Sequence, residues 1–319
     1  MQVSRRLLVL LALVVAVVVA SAAALLFAAP QPTVPTEDQE TRVVVASTGL
    51  IGEVVYKLTG GKVSVRVLLP PGAEIHDWEP SPSDIVTVGR AVLVVYTSDS
   101  LEVYMRKLLE ASGSRAVVVR MEDAPGVELI SIDHEDHDHD HHHHGDVDPH
   151  IWLSLKNYIA FVRHLSQQLA AIFPELKNQI EENERMITGK AEALLNEYRE
   201  RLRPYRGRPF LTEHLAFRYL AKEFGLTNVA IKGIEEQEPD PQHLTELLEL
   251  VTSNRIGVIY VDDPTAVSKT VESFARDLGL RILKLDTMEA MTLDEAVAGN
   301  GYLERMRQNL EALLEGFTG

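Results

Sequence analysis

The chain has 319 residues, 45% of them hydrophobic and 24% charged, the make-up of a globular protein with one large or two medium cores and not of a disordered or fibrous one. With 31 basic against 47 acidic residues its formal net charge is -16, which argues against nucleic acid and anionic membrane surfaces and towards cations. Cysteine is absent, which excludes disulfides, thiolate chemistry, cysteine-ligated zinc and a lipobox anchor, and leaves histidine and carboxylate to hold any metal.

Arg5 and Arg6 precede an uncharged, mainly apolar run from Leu7 to Phe27, with the small residues Ala28 and Ala29 behind it. This order marks residues 1–29 as an export segment, either a cleaved signal peptide or an uncleaved anchor, since the run could span about 30 Å of hydrocarbon as a helix. Residues 30–41 carry Pro30, Pro32 and Pro35 beside Glu37, Asp38 and Glu40 and read as a solvated tether. The protein is therefore expected outside the cytoplasm, anchored at the cell surface or free in the periplasm or medium.

From Arg42 the chain alternates β-branched runs with helical patterns. Strands are expected at 43–46, 63–69, 92–96 and 116–119, with helices near 50–58, 82–89 and 99–112. The alternation resumes with strands at 210–211, 229–231, 258–261 and 282–285 and helices near 214–224, 241–254, 265–278 and 293–315. Between the two series, Leu176, Ile180, Ile187, Ala191, Leu194, Tyr198 and Leu202 recur at helical spacing between Pro174 and Pro204. They predict one helix of roughly 28 residues, about 42 Å long. The fold expected is α/β, two doubly wound lobes with parallel sheets: an N-terminal lobe over 42–173, a rigid linker helix over 174–204 and a C-terminal lobe over 205–319. Ligands of such sheets sit beyond the carboxyl ends of the strands, so the cleft between the lobes is the expected site.

Four metal-competent side chains fall at such positions. His76 lies in the turn-rich stretch leaving the second strand, ahead of a helix start at Ser81-Pro82; His150 lies where an acidic loop gives way to helix; His214 follows the strand 208–211; Asp286 follows the strand 282–285. Singly, each histidine could be a cap or hydrogen-bonding group and Asp286 a loop acid. Together they edge two facing lobes of an acidic, cysteine-free chain. Three imidazoles and one carboxylate make a closed four-coordinate set suited to zinc, and nitrogen donors disfavour manganese relative to an oxygen-rich site. Glu74, Asp77 and Glu213 are expected to orient an imidazole or to be solvated; His164 and His243 read as surface or capping residues.

Pro-Pro-Gly-x-x-x-His-x-x-Glu-Pro-Ser-Pro-Ser-Asp (70–84), Asp-Pro-His-x-Trp-Leu (148–153), Thr-Glu-His-x-Ala-Phe-x-Tyr-Leu (212–220) and Leu-Asp-Thr-Met (285–288) resemble, in order and spacing, the solute-binding proteins of zinc and manganese ABC importers, the ZnuA-like family. The similarity runs from Arg42 to Phe317. It implies a metal held between the lobes by His76, His150, His214 and Asp286, a long helix that limits lobe movement, and a membrane permease as partner. Members with zinc tend to place histidine where manganese binders place a carboxylate, here at His214. The missing lipobox cysteine departs from the bacterial lipoprotein pattern.

Residues 133–148 interleave His134, His137, His139, His141, His142, His143 and His144 with Asp and Glu, a composition that forms no packed core and reads as a flexible loop. Expression tags sit at termini and are not interleaved with acids. The loop is either merely solvated or a weak, multivalent zinc collector, as imidazoles near pKa 6.5 are mostly neutral at pH 7. The resembled zinc importers often carry such a loop immediately before the second histidine. The acids of 233–241 are a solvated loop or, alternatively, a surface for the transporter.

The expected function is extracytoplasmic delivery of Zn2+, with Mn2+ as the alternative cargo, to an ABC transporter by a monomer. A zinc hydrolase would need an open coordination position, a general base and a signature such as His-Glu-x-x-His, which the sequence lacks. An envelope zinc buffer or adhesin remains open, and a vitamin or siderophore binder of this architecture would not need three histidines.

Overall fold

The computed structural model describes residues 42–132, 147–234 and 237–318. The N-terminal apolar run, the tether, the histidines of 134–144 and the acids at 235–236 lie outside the described residues. Among the described residues no helix is long and apolar enough to cross a membrane.

The first lobe runs β1 (Val43–Ala46), α1 (Gly49–Thr59), β2 (Ser64–Val67), α2 (Pro82–Gly89), β3 (Ala91–Tyr96), α3 (Met105–Ser112) and β4 (Val117–Arg120). Its strands pair in parallel in the order β2-β1-β3-β4. Two helices, α4 (Leu155–Ile172) and α5 (Lys177–Leu202), lead to the second lobe. That lobe runs β5 (Pro209–His214), α6 (Arg218–Phe224), β6 (Thr227–Lys232), α7 (Pro241–Ser253), β7 (Val258–Val261), α8 (Lys269–Leu278), β8 (Arg281–Lys284), α9 (Leu293–Val297) and α10 (Tyr302–Thr318). Its order, β6-β5-β7-β8, again all parallel, repeats the first.

Period-two alternation decides how the strands are covered. In β1, Val44 and Ala46 face a core shared with α4, α5 and the second lobe, whereas Val45 faces a separate layer with Val88, Val94, Met105 and Leu108. In the second lobe Leu211, Ile231 and Ile259 face Leu247 and Val271 of α7 and α8. The central core joins both lobes through the linker, whose Ile187, Ala191, Leu194, Tyr198 and Leu202 are buried while its charged face stays in water.

Local chemistry explains where elements differ from the sequence pattern. The linker is α-helical over 26 residues, extended by single 3₁₀ turns at Pro174–Leu176 and Arg203–Tyr205. The helix expected from residue 99 begins at Met105, because the buried Glu102 carboxylate instead accepts Thr97 N–H, Ser98 N–H and Ser47 O–H at 3.0, 2.9 and 2.6 Å and ties the ends of β1 and β3 together. The pattern 293–315 divides into α9 and α10 at Gly299-Asn300-Gly301, where Gly299 has φ +107°. At Gly301 a Cβ would lie 2.0 Å from Glu53 Oε1, the carboxylate that accepts Tyr302 N–H at 2.8 Å and so caps α10 from the other lobe.

Other contacts fix the lobes near the cleft. Glu223 of α6 accepts Leu155 N–H and Lys156 N–H at 2.9 and 3.0 Å, capping α4. The Trp152 indole donates to Thr287 O at 2.8 Å, and the Tyr302 hydroxyl donates to Trp152 O at 2.7 Å.

Candidate metal centre

The carboxyl ends of both sheets point into one crevice, and each site residue is delivered there by a strand end or the loop beyond it. His76 comes from the loop between β2 and α2, His150 from the turn before α4, His214 as the last residue of β5, and Glu289 from the loop after β8. His76, His150 and Glu289 offer ligand atoms all within 4.8 Å of one another. Glu289 Oε1 is 3.1 Å from His150 Nε2, 3.7 Å from His76 Nε2 and 3.8 Å from His214 Nε2. The His150 ring centroid lies 5.8 Å from that of His76 and 5.5 Å from that of His214.

The Nε2 atoms of His76 and His150 and Oε1 of Glu289 are buried without hydrogen-bond partners. Buried polar atoms are nearly always satisfied, so converging, unsatisfied nitrogen and oxygen donors fit a cation. Side-chain exposure is 15% at His76 against 0% at His150, 5% at His214 and 8% at Glu289, so the centre reaches solvent past His76.

The surrounding groups orient these donors. Asp148 Oδ1 is 2.9 Å from His150 Nδ1 and accepts His150 N–H at 3.1 Å, which turns Nε2 towards the centre. Asp148 is itself held by a Tyr219 hydroxyl bond to its carbonyl at 2.8 Å. Thr287 donates its N–H to Asp262 at 2.5 Å, and its hydroxyl lies 2.8 Å from Asp262 Oδ2 and 3.1 Å from Glu289 Oε2. Between Thr287 and Glu289, Met288 is buried at φ +66°, a left-handed conformation rare for this residue type, stabilised by its N–H donating to Asp286 Oδ1 at 2.8 Å.

Asp286 is not among the groups brought together. Arg305 donates to its Oδ2 at 2.7 Å, Lys284 lies 3.5 Å away, and its backbone exchanges two hydrogen bonds with Asn309. The left-handed turn at Met288 carries the chain round so that the carboxylate at the centre is Glu289, three residues on. Of the other acids, Glu213 pairs with Lys232 at 3.3 Å, Glu74 accepts His76 N–H at 3.4 Å, and Asp77 is exposed. His243 lies in the first turn of α7, where Asp240 accepts its N–H at 2.8 Å.

Electrostatics follow from burying these charges together. Burial opposes protonation of His150, but the Asp148 and Glu289 carboxylates outweigh it and push the imidazole up to about 9 in the metal-free protein. Burial likewise opposes protonation of His214, yet Glu289 raises it. Burial would raise Glu289, but the three imidazoles hold it well below the usual carboxylate range. Asp262 is pushed up to about 7 by burial and by Glu289.

Two parallel-sheet lobes on a long helix, with a His/His/His/Glu cluster at their junction, define a two-lobed metal-binding protein. A family profile described as zinc-uptake complex component A, periplasmic, ZnuA, matches residues 44–316. The chain belongs to this family. It is 34% identical over 266 residues to the high-affinity zinc uptake system protein ZnuA of Bacillus subtilis, covering 82% of this chain and 83% of that protein. It is 32% identical over 267 residues to the zinc-binding lipoprotein AdcA of Streptococcus pneumoniae, covering 82% of this chain but 53% of AdcA, so it spans about half of that relative. Among solved structures it is similar to the laminin-binding protein Lmb of Streptococcus agalactiae, described as bifunctional with adhesin and metal transporting activity. That likeness has a TM-score of 0.73 at 29% identity over 86% of this chain and 99% of Lmb.

Proposed function

We propose that this protein binds one Zn2+ ion between its lobes through His76, His150, His214 and Glu289 and delivers it to the membrane permease of an ABC importer. The observation that carries the reading is the convergence of Nε2 of His76, His150 and His214 on Glu289 Oε1, within 3.1–3.8 Å, at the junction of the lobes. Three imidazoles and one carboxylate fill a tetrahedral zinc shell and are poor in the hard oxygen donors that favour manganese. Membership of a zinc-uptake family supports zinc as cargo and a permease as partner. A substrate-binding family, together with a shell closed by protein donors, favours carriage over hydrolysis.

The working location is outside the cytoplasm, in keeping with the periplasmic family description and the lipoprotein relative. Residues 1–29 direct export as signal or anchor, 30–41 tether the lobes at 42–173 and 205–319, and 174–204 links them. The protein works as a monomer, and the histidines of 134–144 collect zinc weakly. The likeness to Lmb favours adhesion as a second role. Zinc titration of protein purified without an immobilised-metal column tests the main reading: one tight equivalent per chain, retained over manganese, supports it, and no tight zinc refutes it.

A further inference from the structure

The three imidazole contacts described above are all with one oxygen of Glu289, Oε1. Its other oxygen, Oε2, is engaged by the Thr287 hydroxyl at 3.1 Å. Thr287 is itself fixed by its N–H, which donates to one Asp262 oxygen at 2.5 Å, and by its carbonyl, which accepts the Trp152 indole at 2.8 Å; its single hydroxyl proton is shared between the other Asp262 oxygen at 2.8 Å and Glu289 Oε2 at 3.1 Å. Trp152 anchors this on the opposite lobe, and the left-handed Met288 fixes the turn between Thr287 and Glu289.

How a carboxylate presents itself decides the coordination number it supports. One oxygen alone suits the four-coordinate zinc shell, whereas two oxygens on the ion raise the number towards the six or more that hard cations accept. We propose that Thr287, braced by Asp262, is the positioning residue that keeps Glu289 one-oxygen-bound and thereby favours zinc over manganese at this centre. The hydroxyl competes with the metal for Oε2. The proposal rests on the metal-binding reading above and goes beyond it, since selectivity is placed in a residue that touches no metal.

The test uses the full-length chain with cobalt(II) as a spectroscopic probe at the first equivalent, together with zinc and manganese competition. Wild-type protein should give the intense visible absorption of four-coordinate cobalt. Thr287→Val keeps the side-chain shape and removes the hydroxyl; it should weaken that absorption several-fold and narrow the zinc-to-manganese ratio by about tenfold, the scale of an outer-shell change. Thr287→Ser keeps the hydroxyl and should restore both, which a packing role for the threonine methyl would not do. Thr287→Ala serves as a second hydroxyl-free variant should the valine form fail to fold. A hydroxyl-free variant that folds and keeps the wild-type spectrum and ratio overturns the proposal. Wild-type protein that takes up neither cobalt nor zinc tightly overturns the metal-binding reading instead.

Discussion

Asp148 Oδ1 lies 2.9 Å from His150 Nδ1, with both side chains fully buried, so a carboxylate sets the orientation of the innermost imidazole. Such partners raise ligand basicity and fix the ring, and their loss costs about 10–100-fold in metal affinity. Asp148→Asn should weaken zinc by that order in competition titrations. Asn retains the size but not the charge, so an unchanged affinity would mean that orientation alone, and not charge, is what Asp148 supplies.

The same pair predicts opposite pH trends for two measurable quantities. In the metal-free protein His150 is pushed up to about 9, from 6.5 in an unfolded chain. A raised folded-state value contributes stability that is fully present below about 6.5 and lost as pH rises through about 9. Zinc requires the neutral imidazole, so its binding displaces the proton and gains about tenfold per pH unit for each proton displaced over the same window. Calorimetric unfolding should therefore show metal-free stability falling from pH 6.5 to 9 while the increment from added zinc grows. Parallel trends in the two would refute the assignment of His150 as a ligand.

His214→Glu exchanges a nitrogen donor for a hard oxygen donor and makes two imidazoles and two carboxylates. Zinc should weaken relative to manganese, narrowing the ratio without reversing it, because the intrinsic affinity order still favours zinc. The variant also places a second carboxylate beside Glu289, 3.8 Å from the present His214 Nε2, so metal-free protein should lose stability. Competition between the two ions on wild type and variant measures the first effect and thermal unfolding without metal the second.

Deleting residues 134–144 should leave the tight equivalent intact and lower the number of weakly held zinc ions. The chain re-enters the described fold with Val147, which bridges Ser131, and His76, His150, His214 and Glu289 all lie outside the deleted stretch. Loss of the tight equivalent in equilibrium dialysis would contradict this separation.

The two-lobe layout was legible because parallel strands buried on both faces read as Val-rich runs and because Pro174 and Pro204 bracket one amphipathic stretch. His76, His150 and His214, which the structure brings around Glu289, could be picked out as candidates because each sits where a strand or loop meets a helix. The carboxylate that the structure places beside them, Glu289, could not. Asp286 directly follows β8, which makes it the obvious acid by position, but it is taken by Arg305 of α10, a residue 19 positions away that no local pattern pairs with it. Glu289 reaches the centre through a left-handed methionine, and no sequence rule marks such a turn at a non-glycine residue. Asp148 ends the acidic tract and opens Asp-Pro-His-x-Trp-Leu, but its contact with His150 shows only in the structure, where both side chains are fully buried. Asp262 lies outside every motif, and Thr287, though within Leu-Asp-Thr-Met, shows no pairing with it in the sequence, since that contact depends on β7 and β8 lying side by side.

The most direct test of the metal centre sets the two carboxylates of the β8 loop against each other. Zinc affinity and stoichiometry should be measured for Glu289→Gln and Asp286→Asn by titration with a competing chelator, alongside metal-free unfolding to register the loss of the Asp286–Arg305 pair. The structure predicts that Glu289→Gln loses the tight equivalent or weakens it by at least the 10–100-fold of an outer-shell change. Asp286→Asn should keep the tight equivalent and lose stability. Tight zinc retained by Glu289→Gln and abolished by Asp286→Asn would contradict the account.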